Sequence, residues 1–239
     1  MHAPALIPGW YGKLPTLGDF ASRRLSPAFI GVWDAWLQRG LAASRITLAE
    51  RWLDVYLNGP QWRFALLPGL CGASGWLGTV MPSVDRVGRH FPLTLALEVP
   101  AGADVLAALT GAPDWFAGLD RAALACLDIR CLPEHLEARL AELPFPARPG
   151  DAGMAGRQLD AWWSGASPNP LVLPLPATLA VADVVGAAAL TRLADDGGAA
   201  SLWWRDTSPD APARLMLFHG LPPDAAFALL LEDQDATVP

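Results

Sequence analysis

Ser83, Asp85, Arg86, Arg89 and His90 lie within eight residues of one another, the densest polar chemistry in the chain. A hydroxyl, a carboxylate and an imidazole are the parts of a hydrolytic site, since a nucleophile needs a base and the base an orienting carboxylate. Two arginines add planar donor forks that suit a phosphoryl or carboxylate group. Their closeness in sequence argues against a triad, whose members converge from separate elements. The serine set among glycines, Gly72-Ala73-Ser74-Gly75-Trp76, also lacks the final glycine of a nucleophile elbow. Asp85 cannot enter a core without a cation, because an isolated buried charge is costly even after relaxation. Three readings follow, in this order: an ion-pair loop that holds itself together, a surface whose charges select a partner, and an enzyme acting on a phosphorylated or acidic group through Asp85, Arg86, Arg89 and His90.

A second polar group, Lys13, Asp19, Arg23 and Arg24, follows the turn Thr16-Leu17-Gly18-Asp19-Phe20. Two polar turns beside strands can meet at one end of a sheet. Lys13, Asp19, Arg23, Ser83, Asp85, Arg86 and Arg89 are therefore the candidate partner-binding residues. No catalytic residue is assigned.

Other chemistry is weaker. Cys126, Cys131 and His135 have the spacing C-x4-C-x3-H, and Cys71 could complete a zinc set, but the spacing is looser than a paired C-x2-C and a free cysteine commonly serves as a small buried hydrophobe. No metal or cofactor is expected. Gly150, Gly153 and Gly156 precede Arg157 without the strand or the Gly-Lys-Ser/Thr run of a phosphate loop, so they read as a flexible connection. Most of the 11 tryptophans fall on apolar faces. In the adjacent pairs Trp162-Trp163 and Trp203-Trp204, neighbouring side chains point different ways, which leaves one of each pair available to a partner.

The elements that must position these residues are legible from periodicity. A strand is expected over 10–14 and a helix from Pro27, with Ser26 as N-cap and Phe29, Ile30, Trp33, Trp36 and Leu37 at three- and four-residue spacing, ending near Gly40. A second helix runs through Leu48, Trp52, Val55 and Tyr56. Strands are expected over 62–67, 76–81 and 92–99, then helices over 103–109, 114–127 and 133–143. Proline and glycine break the pattern over 143–177, with a short helix over 159–163. A helix over 178–193, a strand pair over 201–205 and 214–219 and a helix over 222–231 complete the chain, and the tail 232–239 is expected to fray. This predicts a mainly antiparallel sheet in one domain spanning 1–239: a core over 8–143, a Pro/Gly-rich connection over 144–177, and a segment over 178–232 that completes the same fold.

Composition narrows the class. The chain has 239 residues, is 52% hydrophobic and 17% charged, carries a net charge of −7, and has Lys13 as its single lysine. No basic block is dense enough for nucleic acid. Three cysteines fit a reducing compartment better than a secreted framework. The first residues show no basic stretch followed by an apolar core, and the longest weakly polar run is too short to span a bilayer. A cytoplasmic protein without direct membrane insertion is expected.

The runs GWYGKLPTLGDFASRRL and SPAFIGVWDAWLQ, QWRFALLPGLCG and GWLGTVMPSVDRVGRHFPLTLA, and the later SLWW resemble, in the same order, the TagF family of bacterial type VI secretion-associated proteins, also called ImpM. The match is tight over residues 9–96 and weak beyond, apart from SLWW. The resemblance implies a three-layer α/β/α fold and a cytoplasmic, non-enzymatic accessory protein that restrains the secretion apparatus after translation, in several systems through a forkhead-associated scaffold protein. It brings no catalytic or ligand-binding residues with it.

Overall fold

The apolar runs pair into seven strands of a single sheet. A computed structural model describes residues 6–99, 105, 112–143, 145, 151–167, 170–175, 184–189, 191–192, 199–207 and 212–232. The strands are β1 (Gly9–Gly12), β2 (Ala21–Arg23), β3 (Trp62–Leu66), β4 (Gly75–Met81), β5 (Leu93–Val99), β6 (Ala200–Arg205) and β7 (Arg214–His219). Their order is β2-β1-β5-β4-β3-β6-β7. Every pairing among the described residues is antiparallel, so the expected mainly antiparallel sheet holds no parallel pair there. β6 and β7 add to the β3 edge of the sheet that the first hundred residues build, in one domain.

Helices cover both faces, giving three layers. On one face lie α1 (Pro27–Leu48), α2 (Trp52–Leu57) and α6 (Phe227–Leu231); on the other lie α3 (Pro113–Ala125) and α4 (Pro133–Ala141). This is why β4 is buried along its whole length: neither of its faces meets water. α1 starts as its sequence dictates, with Ser26 Oγ accepting the Phe29 N–H at 3.2 Å and Pro27 in the first turn. It does not end near Gly40 but continues to Leu48. Gly40 is a contact point rather than a stop, since a Cβ there would stand 2.1 Å from Phe227 Cδ2 of α6.

The α1 face is rich in tryptophan. Trp33, Trp36, Trp62, Trp76 and Trp203 are buried with Phe29, Phe64 and Tyr56. Each indole N–H is satisfied: Trp33 donates to Thr94 Oγ1 at 2.8 Å, Trp36 to the Pro222 carbonyl at 2.8 Å and Trp62 to the Leu230 carbonyl at 2.7 Å, which ties helices to sheet. Trp204 is half-buried against Phe116 on the opposite face, whereas Trp162 and Trp163 are both exposed.

The structure departs from the expected elements in places. β2 was not anticipated: its three residues, Ala-Ser-Arg, are too short and polar to read as a strand. α5 (Asp151–Trp163) begins eight residues before the helix expected over 159–163, and Gly156 lies within it as a contact point, since a Cβ there would stand 2.7 Å from the Ala187 Cβ. Residues 184–189 are helical within the expected 178–193. Of the helix expected over 103–109, only Val105 is described, and the turn at 208–210 and the tail from 233 lie outside the described residues.

Candidate functional site

Residues 83–91 form a tight turn off the end of β4. The Gly88 N–H donates to the Asp85 carbonyl, the Asp85 N–H to the Arg89 carbonyl and the Phe91 N–H to the Ser83 carbonyl, each at 3.0 Å, and Val84 bridges His90. Gly88 has φ +80°, a conformation that costs any residue with a Cβ. The Asp85 carboxylate fills the turn. Its Oδ1 accepts the Val87 N–H at 3.0 Å and the Arg89 N–H at 2.8 Å, and its Oδ2 accepts Arg89 Nε at 2.6 Å and Lys13 Nζ at 2.9 Å.

Lys13 enters from the end of β1, 72 residues away in sequence. Its side chain is 4% exposed and that of Asp85 is 0% exposed. Burial alone would raise the Asp85 carboxyl, but the hydrogen bonds from Lys13, from the Arg89 backbone and side chain and from Val87 outweigh it and hold the group well below the usual carboxylate range. The turn is anchored from beneath as well. Ser83 Oγ donates to the Lys13 carbonyl at 2.8 Å, and the Tyr56 hydroxyl donates to the Ser83 carbonyl at 2.8 Å while accepting the Ser83 N–H at 3.1 Å.

The 16–20 turn docks on top. The Leu17 carbonyl accepts the Arg86 N–H at 3.0 Å, and Arg89 Nη2 donates to the Gly18 carbonyl. Phe20 lies edge-on to Phe91, ring centres 4.7 Å apart, and Lys13 Nζ sits 4.9 Å from its ring centre. His90 stands edge-on to Trp52 and Tyr56 at 5.5 and 5.4 Å. Burial, then the cations Arg45 and Lys13, hold the imidazole below its ordinary value against the opposing pull of Asp85.

The seven candidates thus divide. Lys13, Ser83 and Asp85 are buried and bonded to one another; Asp19, Arg23, Arg86 and Arg89 are exposed. Asp19 caps its own turn, Oδ1 accepting the Phe20 N–H at 2.8 Å, and Arg23 lies on β2; neither joins the Lys13–Asp85 pair. A cavity of about 130 Å³ opens beside Ser83, lined by Tyr56, Leu57, Gln61, Pro82, Leu124 and Leu127 among others, but not by Asp85, Arg89 or His90. The zinc set Cys71, Cys126, Cys131 and His135 does not converge on one point either. Cys126 and Cys131 lie 3.5 Å apart (Sγ to Sγ) in the α3 face, Cys71 is in the core of the opposite face, and His135 Nδ1 accepts the Leu132 N–H at 3.2 Å at the start of α4.

The turn that carries this network, PSVDRVGR, and the GKLP run that supplies Lys13 both fall in residues 9–143, which match the model of the TagF N-terminal domain, type VI secretion system-associated. The chain belongs to this family. It is also similar over 97% of its length to 97% of PA0076 from Pseudomonas aeruginosa PAO1, known from a crystal structure at 2.05 Å resolution, with 38% identity and a TM-score of 0.73. No curated protein matches it. Among the described residues, no helix is long and apolar enough to cross a membrane.

Two further polar clusters tie the TagF-type domain together, and sequence reasoning missed both. Glu137 of α4 accepts Trp10 Nε1 at 2.6 Å and Arg24 Nη1 at 2.5 Å, while Arg24 also donates to the Pro8 carbonyl at 3.0 and 2.9 Å. Arg63 of β3 pairs with Asp120 of α3 at 2.7 Å and with Asp206 at 2.6 Å. Burial raises the Asp120 carboxyl, and this outweighs the opposing bonds from Arg63 and Thr79. A lone arginine inside an apolar strand was the one available signal, since such a cation needs an acid from another element.

Proposed function

We propose that this TagF-family chain is a non-enzymatic, post-translational negative regulator of type VI secretion. It acts in the cytoplasm by binding a scaffold component of the apparatus, a forkhead-associated protein in particular, and so holds assembly in check. The observation that carries the binding reading is the division of the polar loop into a saturated base and an exposed rim. Asp85, the residue best placed to serve as a base, has both oxygens occupied by four donors and no exposed side-chain surface, and the Ser83 hydroxyl is committed to a backbone carbonyl. Such a base stiffens the exposed rim for contact with another protein, where apolar anchors set affinity and charges choose the partner.

The test is to overproduce the chain in its host and measure both export by the apparatus and the cellular amounts of its components. Export falls while component amounts stay constant. Unchanged export defeats the regulatory reading, and a parallel fall in component amounts defeats the post-translational one.

A further inference from the structure

We propose that the crown of the two docked turns, Arg86 and Arg89 over Gly18 with Phe20 and Val87 beside them, binds carboxylates of an acidic, apolar-flanked segment of the partner protein. This rests on the binding role proposed above and gives the partner its chemistry. The chain has 24 acidic against 17 basic residues, and several of its other arginines find acids: Arg24 pairs with Glu137, Arg63 with Asp120 and Arg130 with Asp128. Arg86 is different. Its side chain is exposed and has no hydrogen bond or ion pair among the described residues, while its backbone N–H is fixed on the Leu17 carbonyl. The guanidinium lies over Gly18, Nη2 3.8 Å from where a Cβ would stand.

Arg89 reaches the same glycine through its carbonyl. Nε and Nη2 are held by Asp85 and by the Gly18 carbonyl, so the plane of its fork is set, and Nη1 has no partner among the described residues. Two guanidiniums are therefore placed at one residue that has no side chain to obstruct a planar anion. Lys13, Arg86 and Arg89 against Asp85 and Asp19 leave one net positive charge, which selects an acidic segment over a neutral or basic one. Phe20 is 44% exposed and Val87 65% exposed, and they supply the apolar contact that excludes water around the pair.

The test uses the full chain and fluorescein-labelled peptides at low salt, read by anisotropy: Gly-Leu-Glu-Glu-Leu-Gly, the same peptide with glutamine for glutamate, and the same with phosphoserine. The glutamate peptide binds, and it weakens about tenfold or more with glutamine or with an Arg86→Glu chain, as loss of a charge-assisted pair requires. The variant keeps the wild-type unfolding midpoint. Equal binding of the glutamate and glutamine peptides, no binding of the glutamate peptide, no effect of Arg86→Glu, or a clear preference for phosphoserine each overturns the assignment. The regulatory reading fails separately. If wild-type overproduction leaves export unchanged, that reading falls whatever the peptides do. If Arg86→Glu loses the peptide yet still represses export, regulation stands and the crown is not its surface.

Discussion

Asp85→Ala removes the acceptor of four hydrogen bonds and leaves Lys13, a cation with 4% of its side chain exposed, facing a void. Removing one partner of a buried pair costs about 3–5 kcal/mol, mostly for the charge left behind. The Arg89 side of this network is 54% exposed, which admits water and places the expected loss near the lower end, at about 3 kcal/mol. Lys13→Met is milder at about 1–2 kcal/mol, because Asp85 keeps Arg89 and two backbone donors. The double variant has no stranded charge and should cost no more than Asp85→Ala alone, a coupling of at least about 1–2 kcal/mol. Urea unfolding followed by tryptophan fluorescence measures all three. A loss below about 1 kcal/mol for Asp85→Ala, or losses that simply add, refutes the claim that this buried pair supports the site.

Acid should act in two stages. The folded-state value of His90 is depressed, so its contribution is full above the unfolded value near ~6.5 and is lost as pH falls through the folded value. Asp85 is also depressed, so its contribution is full above ~3.9 and is lost on further acidification. The urea midpoint therefore falls on going from pH 7 to 5.5 and falls again below pH 4, and a rise over the first interval would contradict the sign. Gly40→Ala drives a Cβ to 2.1 Å from Phe227 and costs about 1–3 kcal/mol, and Phe227→Leu in the same chain recovers part of it in thermal melts. Gly88→Ala, at φ +80°, costs about 1–2 kcal/mol by the same measurement and lowers occupancy of the crown.

What the sequence revealed and what it hid follow the range of the interactions. α1 was legible because its cap, its proline and its apolar stripe are all local. Its end was not, because Gly40 answers to Phe227, 187 positions on, and the helix former's rule sees only a glycine. α5 was cut short for the same reason at Gly156. Asp85, Arg86 and Arg89 announced themselves by crowding, and placing two polar turns at one sheet end brought Lys13 near them without singling out its pair with Asp85. The division into base and rim was invisible, since it depends on which side chains the Tyr56 hydroxyl and the 16–20 turn cover. Arg24–Glu137 and Arg63–Asp120 join residues 113 and 57 positions apart, and nothing near either end marks the partner.

The claim that matters most is that the exposed rim, held rigid by the Lys13–Asp85 base, recognises a component of the secretion apparatus. Tagged wild-type chain and its Arg86→Glu variant, shown to be equally folded by circular dichroism, are purified from the native host and the forkhead-associated scaffold in each eluate is quantified. The account predicts a stoichiometric complex with wild type and loss of the scaffold from the variant. Scaffold absent from both eluates, or retained equally by both, contradicts it.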